Sequence, residues 1–165
     1  MTADPSPTHH VVIALGANLG DRERTLTDAI GELESTERIT VISVSPFIET
    51  PALTLDGVDA SKPVYLNAVA MLRTDLDPLE LLDVLAAIEV RHGRVRLERW
   101  DDRTLDLDII DFDRLELRSE RLTLPHPRAF ERDFVIRPWL TIDPDAVLPG
   151  HGPIAALPAA GDGRL

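Results

Sequence analysis

The stretch RWDDRTLDLDII, Arg99–Ile110, decides the fold, because from Thr104 onward it alternates as a strand does. Successive strand side chains point to opposite faces. Leu105, Leu107 and Ile109 therefore share one face, suited to packing on helices, while Asp106, Asp108 and Ile110 share the other. This strand, Thr104 to Phe112, is the fourth of a series that runs back through the chain. Upstream, Asp77-Pro78-Leu79-Glu80 has the form of a helix start, with Asp as N-cap, Pro at the first position and Glu at the third. The helix continues through LLDVLAAIEV and stops near Gly93. A polar, Arg-rich loop from Arg94 to Arg103 links it to the strand.

Further back, Val64 to Leu72 reads as a strand, Pro51 to Pro63 (PALTLDGVDASKP) as a loop, and Ile39 to Ile48 as a β-branched strand. Leu26, Ile30 and Leu33 recur at helical spacing in a helix of roughly Arg22 to Glu34, behind Asp21 as N-cap. His10 to Leu15 (HVVIAL) is a short apolar run of the kind a buried strand shows. The order β-α-β-β-α-β predicts an α+β fold, a ferredoxin-like sandwich with an antiparallel sheet. One face of such a sheet is covered by helices and the other is free to hold a site. Downstream, Leu115 to Leu117 and Arg121 to Leu124 predict a C-terminal hairpin extension, Pro125-His126-Pro127 a turn, and Phe130 to Leu140 a short helix or strand. The chain reads as a single domain, 1–165, with 1–9 and 150–165 as flexible tails.

Charge narrows the function. The net charge of −12 argues against a general nucleic-acid binder. Aromatic residues make up only 4%, too few for the stacking face of an RNA-binding sheet. From Arg91 to Arg137 there are eleven Arg against eleven Asp and Glu, so the acidic excess lies elsewhere and basic charge is gathered here. The only lysine is Lys62. Arg offers a planar fork suited to phosphate or carboxylate. There is no cysteine, which excludes disulfides and thiolate metal sites and fits a reducing, cytoplasmic setting. No secretory signal and no apolar stretch of membrane-spanning length is present, and the five histidines lack metal-like spacing.

Asp106 and Asp108 lie about 7 Å apart along the strand, from a rise of about 3.4 Å per residue. Unpaired, they would repel each other. An oxygen-only pair favours Mg²⁺ completed by water and substrate phosphates. A solvated strand face with two surface acids would look the same in isolation. The neighbours separate the readings: Arg94, Arg96, Arg99 and Arg103 precede the pair, and Arg121 and His126 follow it. Acids for a metal beside arginines for phosphate suit phosphoryl transfer. A salt-bridge cluster, or a non-catalytic module that binds through its open sheet face, remains an alternative.

GANLGD (Gly16–Asp21), ETPAL (Glu49–Leu53), YLNAVA (Tyr65–Ala70), RWDDRTLDLDII and LTLPHPRAFERDFVIRPW (Leu122–Trp139) together resemble the 6-hydroxymethyl-7,8-dihydropterin pyrophosphokinase family. The resemblance covers roughly His10 to Pro149. It implies diphosphate transfer from ATP to the pterin hydroxymethyl group in folate biosynthesis, giving AMP and the pterin diphosphate, with two Mg²⁺ ions and a monomeric enzyme. It implies Asp106 and Asp108 as metal ligands and catalytic groups, with Arg94 and Arg103. Thr50, Pro51, Leu53, Tyr65, Asn67, Trp100 and Phe134 correspond to the pterin contacts. Glu89, Arg94, Arg96, Arg121, Thr123, His126 and Arg132 correspond to the nucleotide side. GANLGD is taken as a turn that borders the pterin pocket; it lacks the Gly-Lys-Ser/Thr ending of a phosphate loop. Asp101-Asp102 replaces the Gly-Pro usual between the loop tryptophan and arginine.

Overall fold

A computed structural model describes residues 8–18, 20–50, 52–54, 57–59, 64–92 and 105–161, with only the backbone path given in 52–54 and 57–59. In chain order the elements are β1 (His9–Ala17), α1 (Arg22–Ser35), β2 (Ile39–Val44), β3 (Ile48–Thr50), β4 (Ala52–Thr54), β5 (Gly57–Asp59), β6 (Tyr65–Thr74) and α2 (Pro78–Arg91). There follow β7 (Asp106–Phe112), β8 (Leu117–Arg118), β9 (Thr123–Leu124), α3 (Asp133–Ile142), β10 (Val147–Leu148) and β11 (Gly152–Pro153). The main sheet runs β2-β6-β1-β7, and β3 also pairs with β6. Every pairing in it is antiparallel. β6 lies between β1 and β2, which is the split arrangement expected of the ferredoxin-like order.

The helices form where their caps dictate. Asp21 Oδ1 accepts the Arg24 N–H at 3.2 Å to open α1. Asp77 Oδ1 accepts the Glu80 N–H at 2.8 Å and Glu80 Oε1 accepts the Asp77 N–H at 3.1 Å, a complete capping box on α2. Leu26, Ala29 and Leu33 of α1 and Leu81, Leu85 and Ile88 of α2 bury against Val11, Ile13, Leu15, Leu107 and Ile109 of the sheet.

The opposite face is not left free, as the sequence reading had expected. α3 lies across it and builds a second core from Val135, Ile136 and Trp139 with Val12, Val69 and Ile110. Leu148, Ile154 and Ala160 complete that core, so the stretch 150–161 is packed rather than a flexible tail. Its Pro, Gly and Ala content masked the anchoring role of Ile154, which is 0% exposed. At the other end, His9 already belongs to β1, and its Nδ1 lies 2.5 Å from Asp113 Oδ2. Residues 1–7 and 162–165 lie outside the described residues.

Three further details differ from the sequence reading. The expected strand from Ile39 to Ile48 breaks into β2 and β3 at Ser45-Pro46. Pro has no N–H for a ladder, and Ser45 closes the gap: its N–H donates to Val69 O at 2.8 Å and its Oγ accepts the Val69 N–H at 2.9 Å. The loop from Pro51 to Pro63 contains the small antiparallel pair β4 and β5. The register of β7 on β1 shifts, with Ile109 opposite Ile13 but Asp111 opposite Val12. This bulge puts one extra residue into β7 beyond the aspartate pair.

Candidate active site

The site lies where α3 stops short of covering the sheet. Three adjacent strands supply its floor. On β1, Ala14 pairs with Asp108 and Gly16 pairs with Asp106, while on the other side Gly16 pairs with Asn67 of β6. Small residues in the central strand thus form a trench between the polar groups of β6 and the acids of β7. A Cβ at Gly16 would lie 3.0 Å from Asn67 Oδ1 and 3.7 Å from the Tyr65 ring. The trench opens into a cavity of about 170 Å³ lined by Thr50, Tyr65, Asn67, Asp106, Asp108 and Phe134, among others. Asn67 is 7% exposed, and its Nδ2 donates to Thr50 Oγ1 at 2.5 Å. Arg132 and Phe134 approach from the start of α3, with the guanidinium carbon 5.6 Å from the ring centre. A flat, apolar slot with an amide at its base suits a polar heterocycle.

Asp108 also borders a second recess, of about 290 Å³, with Arg121, Thr123 and His126. The aspartate pair therefore stands at the junction of two recesses, one apolar with an amide, the other polar, with Arg121, His126, hydroxyls and Glu120. His126 lies below its ordinary pKa, chiefly because burial disfavours the cation, with Arg132 and Arg128 acting the same way and Asp108 opposing. Its Nδ1 accepts the Arg128 N–H at 3.2 Å. A neutral ring in that arrangement carries its proton on Nε2. Arg132 is likewise lowered by burial, with Asp108 and Asp106 holding its charge in place.

The donor set fits a hard divalent cation. Two carboxylates from one strand, one half-buried and one exposed, supply oxygen only. Among the described residues no group of three His, Asp or Glu forms a metal cage. Mg²⁺ suits such a site, since it keeps several waters and takes substrate phosphate oxygens.

The family model described as 7,8-dihydro-6-hydroxymethylpterin-pyrophosphokinase (HPPK) matches residues 12–144, and that span contains both recesses and the aspartate pair. The chain belongs to this family. It is 41% identical over 145 residues to the 2-amino-4-hydroxy-6-hydroxymethyldihydropteridine pyrophosphokinase of Haemophilus influenzae, covering 88% of each chain. It is 40% identical to the enzyme of the same name from Pseudomonas aeruginosa, covering 94% of this chain and 96% of that one. A Plasmodium falciparum HPPK-DHPS structure with pterin and p-hydroxybenzoate shares the fold, with a TM-score of 0.70 at 15% identity over 96% of this chain. The chain spans 44% of that longer protein.

Of the pyrophosphokinase positions expected from sequence, the fold brings Thr50, Tyr65, Asn67, Asp106, Asp108, Arg132 and Phe134 to one cavity. Arg121, Thr123 and His126 meet in the second recess, where Arg121 also pairs with Asp83 of α2. Glu89 lines neither; it is 5% exposed and its Oε2 accepts the Leu107 N–H at 3.0 Å. Pro51, Arg94, Arg96, Trp100, Asp101, Asp102 and Arg103 lie outside the described residues, as does the side chain of Leu53. Sequence reasoning missed Ala14. It treated Gly16 and Ala17 as part of a turn, whereas both belong to β1. The alternation of Ala14 and Gly16 within an otherwise bulky run was the available signal.

Proposed function

We propose that this chain transfers the terminal diphosphate of ATP to the hydroxymethyl oxygen of 6-hydroxymethyl-7,8-dihydropterin, giving AMP and the pterin diphosphate for folate synthesis. The observation that carries this reading is the aspartate pair at the junction of two recesses of different chemistry. In the apolar recess Asn67 meets the pterin edge, and Tyr65 and Phe134 flank its ring. In the polar recess Arg121, Thr123 and His126 hold the nucleotide, and Arg132 reaches the phosphates from the start of α3. The pterin oxygen bonds to the β-phosphorus as the bond from that phosphorus to the α-phosphate oxygen breaks. The electron pair leaves with AMP, and the hydroxyl proton is released. Asp106 and Asp108 would hold Mg²⁺, two ions on the family pattern, which when bound neutralises phosphate oxygens along the line of displacement. His126 enters as a neutral donor through Nε2–H, so it can meet a phosphate oxygen without the cost of burying a cation. Positioning and charge complementarity suffice for such a transfer, so no side chain is assigned as base. We further propose that the enzyme works as a cytoplasmic monomer.

The test is AMP formation from ATP and Mg²⁺ with and without the pterin, beside Asp106→Ala and Asp108→Ala. AMP should appear only with pterin and fall by about a hundredfold to a thousandfold in either variant, the scale of lost charge stabilisation at a reacting centre. Pterin-independent AMP, or a variant as active as the parent, would overturn the assignment.

A further inference from the structure

β7 is an edge strand. Every second residue of such a strand turns its backbone groups away from the sheet, where no strand of the main sheet among the described residues takes them. Leu107 is 4% exposed, so water does not serve its N–H, and the acceptor is instead Glu89 Oε2 at 3.0 Å. Glu89 stands in the last turn of α2 and is itself buried. A carboxylate out of water is costly unless its hydrogen bonds are strong, and an N–H given to a carboxylate is stronger than one given to a neutral group. Leu107 is the residue between Asp106 and Asp108. Its partner across the ladder on β1 is Leu15, and its side chain packs in the helix-side core.

We propose that Glu89 is a positioning residue for the aspartate pair. By anchoring the Leu107 N–H to α2, it sets the height and twist at which both carboxylates leave β7. The family resemblance places Glu89 on the nucleotide side; the bond recorded here makes it act through the strand. The proposal rests on the diphosphotransferase reading, since it is the metal-holding geometry of that site which Glu89 serves.

Three variants of the full chain test it. Glu89→Gln keeps an oxygen acceptor at the same reach, Glu89→Met keeps length without a strong acceptor, and Glu89→Asp keeps the charge but withdraws it by one methylene. The readouts are amide exchange at Leu107 in the ligand-free protein, the Mg²⁺ concentration that half-shifts the Asp106 and Asp108 amide signals, and kcat and KM for AMP formation. In Glu89→Met the Leu107 protection should vanish, half-saturating Mg²⁺ should rise about tenfold or more, as for other groups that orient metal ligands, and kcat should fall with KM for the pterin unchanged. Glu89→Gln should restore all of these to within about threefold, and should Glu89→Met fail to fold, Glu89→Asp should show the same losses. Unchanged Mg²⁺ dependence in Glu89→Met, Glu89→Gln as impaired as Glu89→Met, or a defect confined to KM for ATP would each overturn the proposal. A parent protein that binds Mg²⁺ yet makes no AMP would sink the transferase reading alone, because the exchange and Mg²⁺ titrations still decide the role of Glu89.

Discussion

Gly16 shows how much a single missing methyl can decide. Its backbone dihedrals do not demand glycine, yet a Cβ there would press on Asn67 Oδ1 at 3.0 Å. Gly16→Ala should therefore fold with little change in Tm but raise KM for the pterin roughly tenfold, the scale of a slight misplacement of a binding group, while KM for ATP stays put; steady-state kinetics against each substrate would show it. Asp111 makes a different case. It is 7% exposed and its carboxyl is pushed up to about 6, chiefly by burial, against backbone N–H bonds from Arg114 and Phe112 that favour the anion. A pKa raised on folding stabilises the native state below the unfolded value and withdraws that stability as pH rises through the folded one. Asp111→Asn should accordingly be more stable than the parent at pH 7.5, by about 1–3 kcal/mol, with the gap closing towards pH 5. Denaturant titrations of both proteins across that range would check it, and a gap that widens on acidification would contradict the account. Neither residue was legible as such in the sequence. Asp106 and Asp108 stand out because unlike neighbours surround a repeated acid, whereas the burial of Asp111 comes from a register shift that no local pattern announces.

At the level of elements, the helices were the most readable parts, because their start signals are chemical. Asp21 and Asp77 cap α1 and α2 where their residue types said they would. Asp77→Ala removes the side-chain cap on the Glu80 N–H while leaving the backbone N–H that Glu80 accepts, at a cost of about 1 kcal/mol. The lesion sits at the end of α2 away from Glu89, so Tm should drop by about 2–4 °C while kcat is unchanged; a scanning calorimetry run paired with an AMP assay separates the two effects. The strands were harder. β2 and β3 merge in the hydrophobic pattern, and the break between them falls at Ser45-Pro46, which the Ser45–Val69 bonds bridge. The stretch Phe130 to Leu140 read as a short helix or strand, and α3 carries Pro138 inside it. What settles it as a helix is tertiary: Val135, Ile136 and Trp139 form one buried stripe on the sheet.

For the whole molecule, the sheet carries a core on each face, and the second was invisible because its contributors are scattered from Val12 to Ala160. Ile154→Ala should lower stability by about 2–4 kcal/mol, as for other fully buried aliphatic truncations. Thermal unfolding would register this, and a neutral result would mean that the stretch 150–161 does not anchor the second core. The α+β order was readable because it depends on short runs of residues, as does the Asp106 and Asp108 pair that marks the candidate site; the covering of the far face depends on contacts between distant ones. The floor of the site has a consequence for the chain as it is being made. In the order of synthesis, Asn67 follows Gly16 by some fifty positions and Asp106 by some ninety. Synthesis proceeds from the N-terminus, so the apolar run Val11–Leu15 must wait for both flanking strands. A nascent chain that ends before β7 holds the β1 and β6 sides of the trench without its acids, and one edge of β1 stays unmatched until β7 arrives.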